Sequence, residues 1–112
     1  MIRCPKISEV NVAGYLGLSR LIVSGCKSLE NLIMSNTRLA DLSISDCDEL
    51  SSINLSGCNG TIMKNLNLTT IYGLKNLNIS NSMPTDKINL YLPKYKKEYS
   101  SLTAEEIQSL IN

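Results

Sequence analysis

The chain has 112 residues and a formal net charge of +1, and it contains no His, Trp or Phe. This length suits one small domain, and the near-neutral charge argues against a nucleic-acid partner, because proteins that bind phosphate backbones carry a clear excess of Lys and Arg. The absence of His removes the usual general base at neutral pH and the most common metal ligand, so we expect a non-enzymatic protein without metal or cofactor.

The N-terminal segment, residues 1–6, lacks the apolar stretch of a secretory signal. No apolar run elsewhere in the chain approaches the roughly 18 to 20 residues that cross a bilayer. These features predict a protein without a membrane span that acts in the cytoplasm, or in a host cytosol if it is a delivered effector.

A short repeat occupies residues 7–92, within a predicted solenoid domain of residues 1–92. Units of the form L-x-x-L-x-[LI], with other aliphatic residues allowed, follow one another at steps of 10, 11 or 13 residues. The first, fourth and sixth positions of every unit are aliphatic, with Thr85 as the one exception. Internal repetition at a fixed period is typical of solenoid architectures.

Each unit contains a short predicted strand. The fourth and sixth positions lie two residues apart, so both side chains point to one face of a strand while the third, fifth and seventh point to the other. The rest of each unit is rich in Ser, Gly, Asn and Asp, which suits a tight turn and leaves no room for an ordinary helix. Because similar turns recur, we expect a coil that always bends the same way, with parallel strands about 4.8 Å apart and a shared aliphatic core.

Three of the four cysteines occupy the same position after these turns. Cys26, Cys47 and Cys58 each follow a Ser-Gly or Ser-Asp pair, and the chain has no Cys-x-x-Cys motif. This spacing favours reduced, buried thiols over disulfides or metal ligands, which agrees with a cytosolic setting. An enzyme fragment that uses Cys26 or Cys58 as nucleophile is the alternative, although it would need a base other than His.

Residues 18–26, 39–47 and 50–58 match the L-x-x-L-x-L-x-x-[NC] pattern when Ile or Val replaces Leu. In this the chain resembles the leucine-rich repeats, and its nested units of 10 or 11 residues look most like the bacterial IRREKO-type subclass. Residues 47–58 also resemble the cysteine-containing repeats of F-box proteins. The resemblance implies a leucine-rich-repeat solenoid, mostly parallel β, with two short strands per coil of about 21 residues.

Two units per coil predict about four coils, with alternate units on opposite faces. The first face carries the units that begin at Ile7, Leu29, Leu50 and Leu74, and the second face carries those that begin at Leu18, Leu39, Met63 and Thr85. The extra residues at 59–61 are expected to bulge at a corner without breaking the stack, because Gly60 tolerates unusual dihedral angles.

The outward side chains of both faces are mostly polar and uncharged. They form either a recognition surface or a solvated face on which neighbouring Asn side chains bond to one another. Ile22 and Ile33 are outward aliphatic residues, which gain burial energy only if something covers them. A partner or an end cap could cover them, and a scattered exposed aliphatic residue is also ordinary. The predicted partner-binding residues are Arg20, Ile22, Asn31, Ile33, Asp41, Ser43, Asn54, Asn67 and Asn78.

The repeat ends at Pro93, and residues 93–112 have a different composition. A Lys-rich and Tyr-rich stretch at 94–99 is expected to be a basic connector. Thr103 and Glu106 form a capping box, which predicts a short C-terminal helix that covers the last coil. The N-terminal edge has no such cover, so preceding repeats of a larger protein or a second copy of this chain are expected to add there.

Together these features predict a protein–protein interaction module with a rigid repeat surface, of bacterial origin and belonging to a larger effector or surface protein. Two alternatives remain. One is a structural spacer that binds nothing, and the other is a substrate-recruiting repeat of the F-box type.

Overall fold

The repeat folds into a β-solenoid whose short strands alternate between two faces. The computed structural model describes residues 6–59, 62, 65–79, 87–91 and 99–100, and these residues contain no α-helix. The strands are β1 (Glu9–Asn11), β2 (Arg20–Ser24), β3 (Asn31–Ile33), β4 (Asp41–Ser45), β5 (Ser52–Asn54), β6 (Asn65–Asn67), β7 (Asn76–Asn78), β8 (Lys87–Tyr91) and β9 (Tyr99–Ser100). The prediction of two strands per coil is therefore confirmed.

The first face is one continuous parallel sheet with the strand order β1-β3-β5-β7. The fourth residue of each unit pairs with its equivalent on the next strand, from Val10 to Leu32, Ile53 and Leu77. This register is the one that the repeat predicts, and it gives about three turns from β1 to β7.

The inward aliphatic residues of both faces form a single core. Leu29, Leu32, Met34, Leu50 and Leu55 have no exposed surface. They are buried because the strands and the residues that flank them direct these side chains inward, where adjacent coils cover them. Burial of each such side chain contributes about 1.5 to 3 kcal/mol, which explains why so little variation occurs at these positions of the repeat.

A left-handed residue turns the chain at successive corners. Gly14, Gly25 and Gly57 have φ values of 80°, 69° and 69°, and Asn36 and Asp46 have φ values of 55° and 54°. All five are the eighth residue of their unit. Gly, Asn and Asp adopt this conformation at the lowest cost, so the recurring turn composition has a backbone origin.

The second face is divided into two sheets beside the extra residues, whereas the stack itself continues, because β5 pairs with β7 on the first face. β2 pairs with β4 and β6 pairs with β8, but β4 and β6 belong to separate sheets. In place of a backbone ladder, the Thr70 hydroxyl donates to the Ile44 carbonyl at 2.6 Å. Leu42 on β4 is only partly buried, whereas its equivalent on β2, Leu21, is buried.

The last strand was not predicted. β9 lies in the segment expected to be a connector and pairs antiparallel with β8, with Ile88 opposite Tyr99. The predicted C-terminal helix at 103–111 and the Lys-rich residues 94–98 lie outside the described residues.

Candidate interaction surface

The first face presents an ordered array of mostly polar side chains. Because its four strands are in register, the outward residues form two rows that run across the strands. One row consists of Glu9, Asn31, Ser52 and Asn76, and the other consists of Asn11, Ile33, Asn54 and Asn78. We call the second one the asparagine row. Four predicted partner-binding residues, Asn31, Ile33, Asn54 and Asn78, therefore share this face.

Two carboxamides of the asparagine row are held in a defined orientation. The Asn11 side-chain oxygen accepts a hydrogen bond from the Ala13 backbone N–H at 2.9 Å, and the Asn54 oxygen accepts one from the Ser56 N–H at 2.9 Å. Each asparagine thus satisfies the backbone where its strand ends. The side-chain bonds of these two residues are local to their own turns.

The β2–β4 part of the second face carries four further predicted residues. Arg20 lies opposite Asp41 and Ile22 lies opposite Ser43. The Arg20 guanidinium contacts the Asp41 carboxylate at 3.0 Å, with both side chains more than half exposed. An exposed pair of this kind contributes at most about 1 kcal/mol. Because the two charges neutralise each other, this face offers a partner little unpaired charge here.

Asn67 stands apart from the other predicted residues. It lies on β6, in a different sheet from β4. Its side-chain oxygen accepts hydrogen bonds from the Thr69 N–H at 3.1 Å and from the Thr69 hydroxyl at 2.7 Å. Ile22, Ser43 and Asn67 therefore do not form one continuous sheet surface.

Cys26, Cys47 and Cys58 are buried, as the repeat predicts, and Cys4 lies outside the described residues. The Cys58 thiol donates to the Met34 carbonyl at 3.0 Å, and the Cys47 thiol donates to the Ser45 carbonyl at 3.3 Å. Burial raises the pKa of the Cys47 thiol, and the nearby negative charge of Asp46 raises it further. A thiol with a raised pKa is a poor nucleophile at neutral pH.

The N-terminal coil is less covered than the coils that follow it. Ile7 is 38% exposed, whereas its equivalents in the next two coils, Leu29 and Leu50, are fully buried. Val12 is likewise only partly buried, whereas its equivalent Met34 is fully buried. Within the described residues, then, the inward side chains of the first coil lack a neighbour on one side.

Three exposed side chains at corners were missed by the repeat pattern. Tyr15 and Leu16 lie at a corner of the first coil and Tyr72 at a later one, and all three are more than half exposed. They fall outside the first, fourth and sixth positions of their units, so the aliphatic pattern carries no information about them. Large apolar residues at turn positions are the signal that would have identified them.

The described part of the chain contains no cluster of three or more His, Cys, Asp or Glu residues that could hold a metal ion. In the same residues, no helix has the length and apolar character needed to cross a membrane. No protein-family model, curated protein or solved structure matches the chain at a significant level.

Proposed function

We propose that this chain is a leucine-rich-repeat module that binds another protein through its first face. The observation that carries the proposal is the continuous sheet of four in-register strands, on which Asn31, Ile33, Asn54 and Asn78 occupy adjacent positions. A rigid sheet holds these side chains at fixed spacing before the partner arrives, which lowers the entropic cost of association.

Three features favour the first face over the second. It is not interrupted, its outward residues are nearly all uncharged, and the half-buried Ile33 lies at its centre. On the second face, Arg20 and Asp41 already bind each other. The module acts by binding rather than by catalysis, and the chain's lack of His and its buried thiols support this role. It acts in a bacterial or host cytosol. It belongs to a larger effector or surface protein.

The test compares two triple variants in cross-linking and affinity purification. In one, Asn31, Ile33 and Asn54 are replaced by Lys; in the other, Ile22, Ser43 and Asn67 are replaced by Lys. We expect the first variant to lose the proteins that the unmodified chain retains, and the second to keep them. Equal retention by both variants contradicts the choice of face, and retention of no specific protein by the unmodified chain supports a structural spacer.

Self-association through the first coil is a second proposed activity, and the exposure of Ile7 supports it. Unpaired strand edges beside exposed aliphatic residues favour addition of a further chain. Light scattering on the unmodified chain should give a mass above that of a monomer, and Ile7→Asp should reduce it. A monomer at all concentrations excludes this activity.

A further inference from the structure

The orientation of two asparagines indicates which chemical groups the first face can bind. The Asn11 and Asn54 oxygens are engaged by the backbone of their own turns. A carboxamide has one acceptor oxygen and one NH2 group with two donors. Because the oxygen accepts a backbone hydrogen bond, the carboxamide cannot exchange the positions of its oxygen and its nitrogen. The NH2 group is therefore directed away from the turn.

These NH2 groups are available to a partner. Neither Asn11 nor Asn54 donates a side-chain hydrogen bond to another described residue. Asn11 is exposed and Asn54 is half-buried. The asparagine row therefore offers hydrogen-bond donors without positive charge, which suits neutral acceptors such as peptide carbonyl oxygens.

The distance between the donors selects among peptide conformations. Asn11 and Asn54 are separated by one strand, since both are in register with Ile33. Two strand spacings amount to about 9.6 Å. A polyproline II helix repeats every three residues, or about 9.3 Å. Carbonyls on one side of a β-strand repeat at about 6.7 Å, and an α-helix has a pitch of about 5.4 Å, so neither matches.

A polyproline II segment also has the right chemistry. It has no internal hydrogen bonds, so its carbonyl oxygens remain free to accept. Ile33 lies midway between the two asparagines, where a proline ring or an aliphatic side chain can cover it. Burial of Ile33 would add apolar contact between two hydrogen bonds.

We infer that the asparagine row binds a neutral peptide segment in the polyproline II conformation, which runs across the strands and accepts hydrogen bonds from Asn11 and Asn54. This inference rests on the proposed function, because it names the kind of partner that the first face takes. It also assigns a binding role to Asn11, which lies outside the set of residues predicted from sequence.

The test measures binding of a fluorescein-labelled 12-residue peptide of Pro-Pro-Leu repeats by fluorescence anisotropy. The matched peptide of Gly-Gly-Leu repeats keeps the spacing of Leu but does not favour the polyproline II conformation, and a Thr-Val repeat favours a strand. We expect the proline peptide to bind most tightly. The inference is overturned if the Gly peptide binds as tightly as the proline peptide, or if the Thr-Val peptide binds more tightly. It is also overturned if the proline peptide does not bind at millimolar concentration.

The variant that decides the role of the asparagines is Asn11→Asp combined with Asn54→Asp. Aspartate keeps an oxygen for the Ala13 and Ser56 N–H groups, so the turns are preserved, but it replaces each outward NH2 with an acceptor. Loss of two hydrogen bonds should weaken binding of the proline peptide about tenfold or more. The control is Asn59→Asp, an identical change at an exposed corner position, which should bind like the unmodified chain.

Unchanged circular dichroism and thermal unfolding of the double variant would show that a loss of binding is not a loss of fold. Unchanged binding by this variant overturns the inference. Failure of the peptide experiment is distinguishable from failure of the proposed function. In the first case the Lys variant of the first face still loses its natural partner, whereas in the second case it retains every protein that the unmodified chain retains.

Discussion

The Thr37 hydroxyl and the Cys58 thiol lie 3.5 Å apart, and both donate to the carbonyl oxygen of Met34. The two residues occupy the same corner position of consecutive coils, and both side chains are buried. A hydroxyl and a thiol thus satisfy a buried backbone acceptor together. Because unsatisfied buried carbonyls are costly, this corner tolerates few replacements.

The shared acceptor predicts that the two side chains are energetically coupled. Thr37→Val and Cys58→Ala should each lower the free energy of unfolding by about 1 kcal/mol, since one donor remains in each case. The double variant removes both donors and should cost more than the two single changes added together. Urea unfolding of the four proteins measures this coupling, and strict additivity would show that the two bonds are independent.

The left-handed conformation of Gly57 predicts that Gly57→Ala, which adds one methyl group, destabilises the fold. A Cβ at this position would overlap the Asn36 side-chain oxygen, and the positive φ adds about 1 to 2 kcal/mol for a residue other than Gly. Gly57→Ala should therefore lower the free energy of unfolding by more than about 1 kcal/mol. Asn36→Gly in the same chain removes the overlap and should restore part of the loss.

The control for this prediction is Gly17→Ala. An added Cβ at Gly17 meets no atom within 4 Å, so the change should alter the free energy of unfolding by less than about 0.5 kcal/mol. Equal effects at Gly17 and Gly57 in thermal unfolding would show that neither the backbone conformation nor Asn36 restricts the corner.

The strands and the core were predictable because each depends on local spacing. The aliphatic residues at the fourth and sixth positions of each unit mark a strand in every unit, and the repeated turn orders the strands into two faces. The division between β4 and β6 was not predictable, because the aliphatic pattern resumes unchanged at Leu66 and carries no sign that the two strands belong to separate sheets. The repeat pattern gives the number of residues in each unit, but it does not give how strands of neighbouring coils pair.

The surface was predictable in part. The outward positions of Asn31, Ile33, Asn54 and Asn78 follow from strand alternation, and they share one face as expected. The bonds from Ala13 to Asn11 and from Ser56 to Asn54 depend on side-chain torsion angles. No pattern of residue types specifies those angles.

The Thr70 hydroxyl is predicted to hold the divided second face together. Thr70→Val keeps the shape of the side chain but removes the bond to the Ile44 carbonyl, and should cost about 1 kcal/mol. Amide hydrogen exchange should accelerate in β4 and β6 more than in β3 and β5. Thr70→Ser, which retains the hydroxyl, should preserve the exchange pattern; accelerated exchange across both faces alike would contradict a local role.

The raised pKa of Cys47 predicts a loss of stability at alkaline pH. The folded state binds the thiol proton more tightly than the unfolded state does, so this contribution is complete below the ordinary value of 9.0 and is lost as pH rises through the folded pKa. The free energy of unfolding should therefore fall above about pH 9. Cys47→Ala should make this decline shallower, and identical slopes for both proteins would exclude the contribution.

The division of one face and the continuity of the other give the molecule a preferred direction of bending. A motion that widens the gap between β4 and β6 breaks little backbone pairing, whereas the same motion on the opposite side would have to separate β3 from β5. The uninterrupted sheet of the first face is therefore the side that keeps its geometry when the second face opens. Flexing in this sense leaves the interval between Asn11 and Asn54 unchanged, because it does not disturb the pairing of β1, β3 and β5.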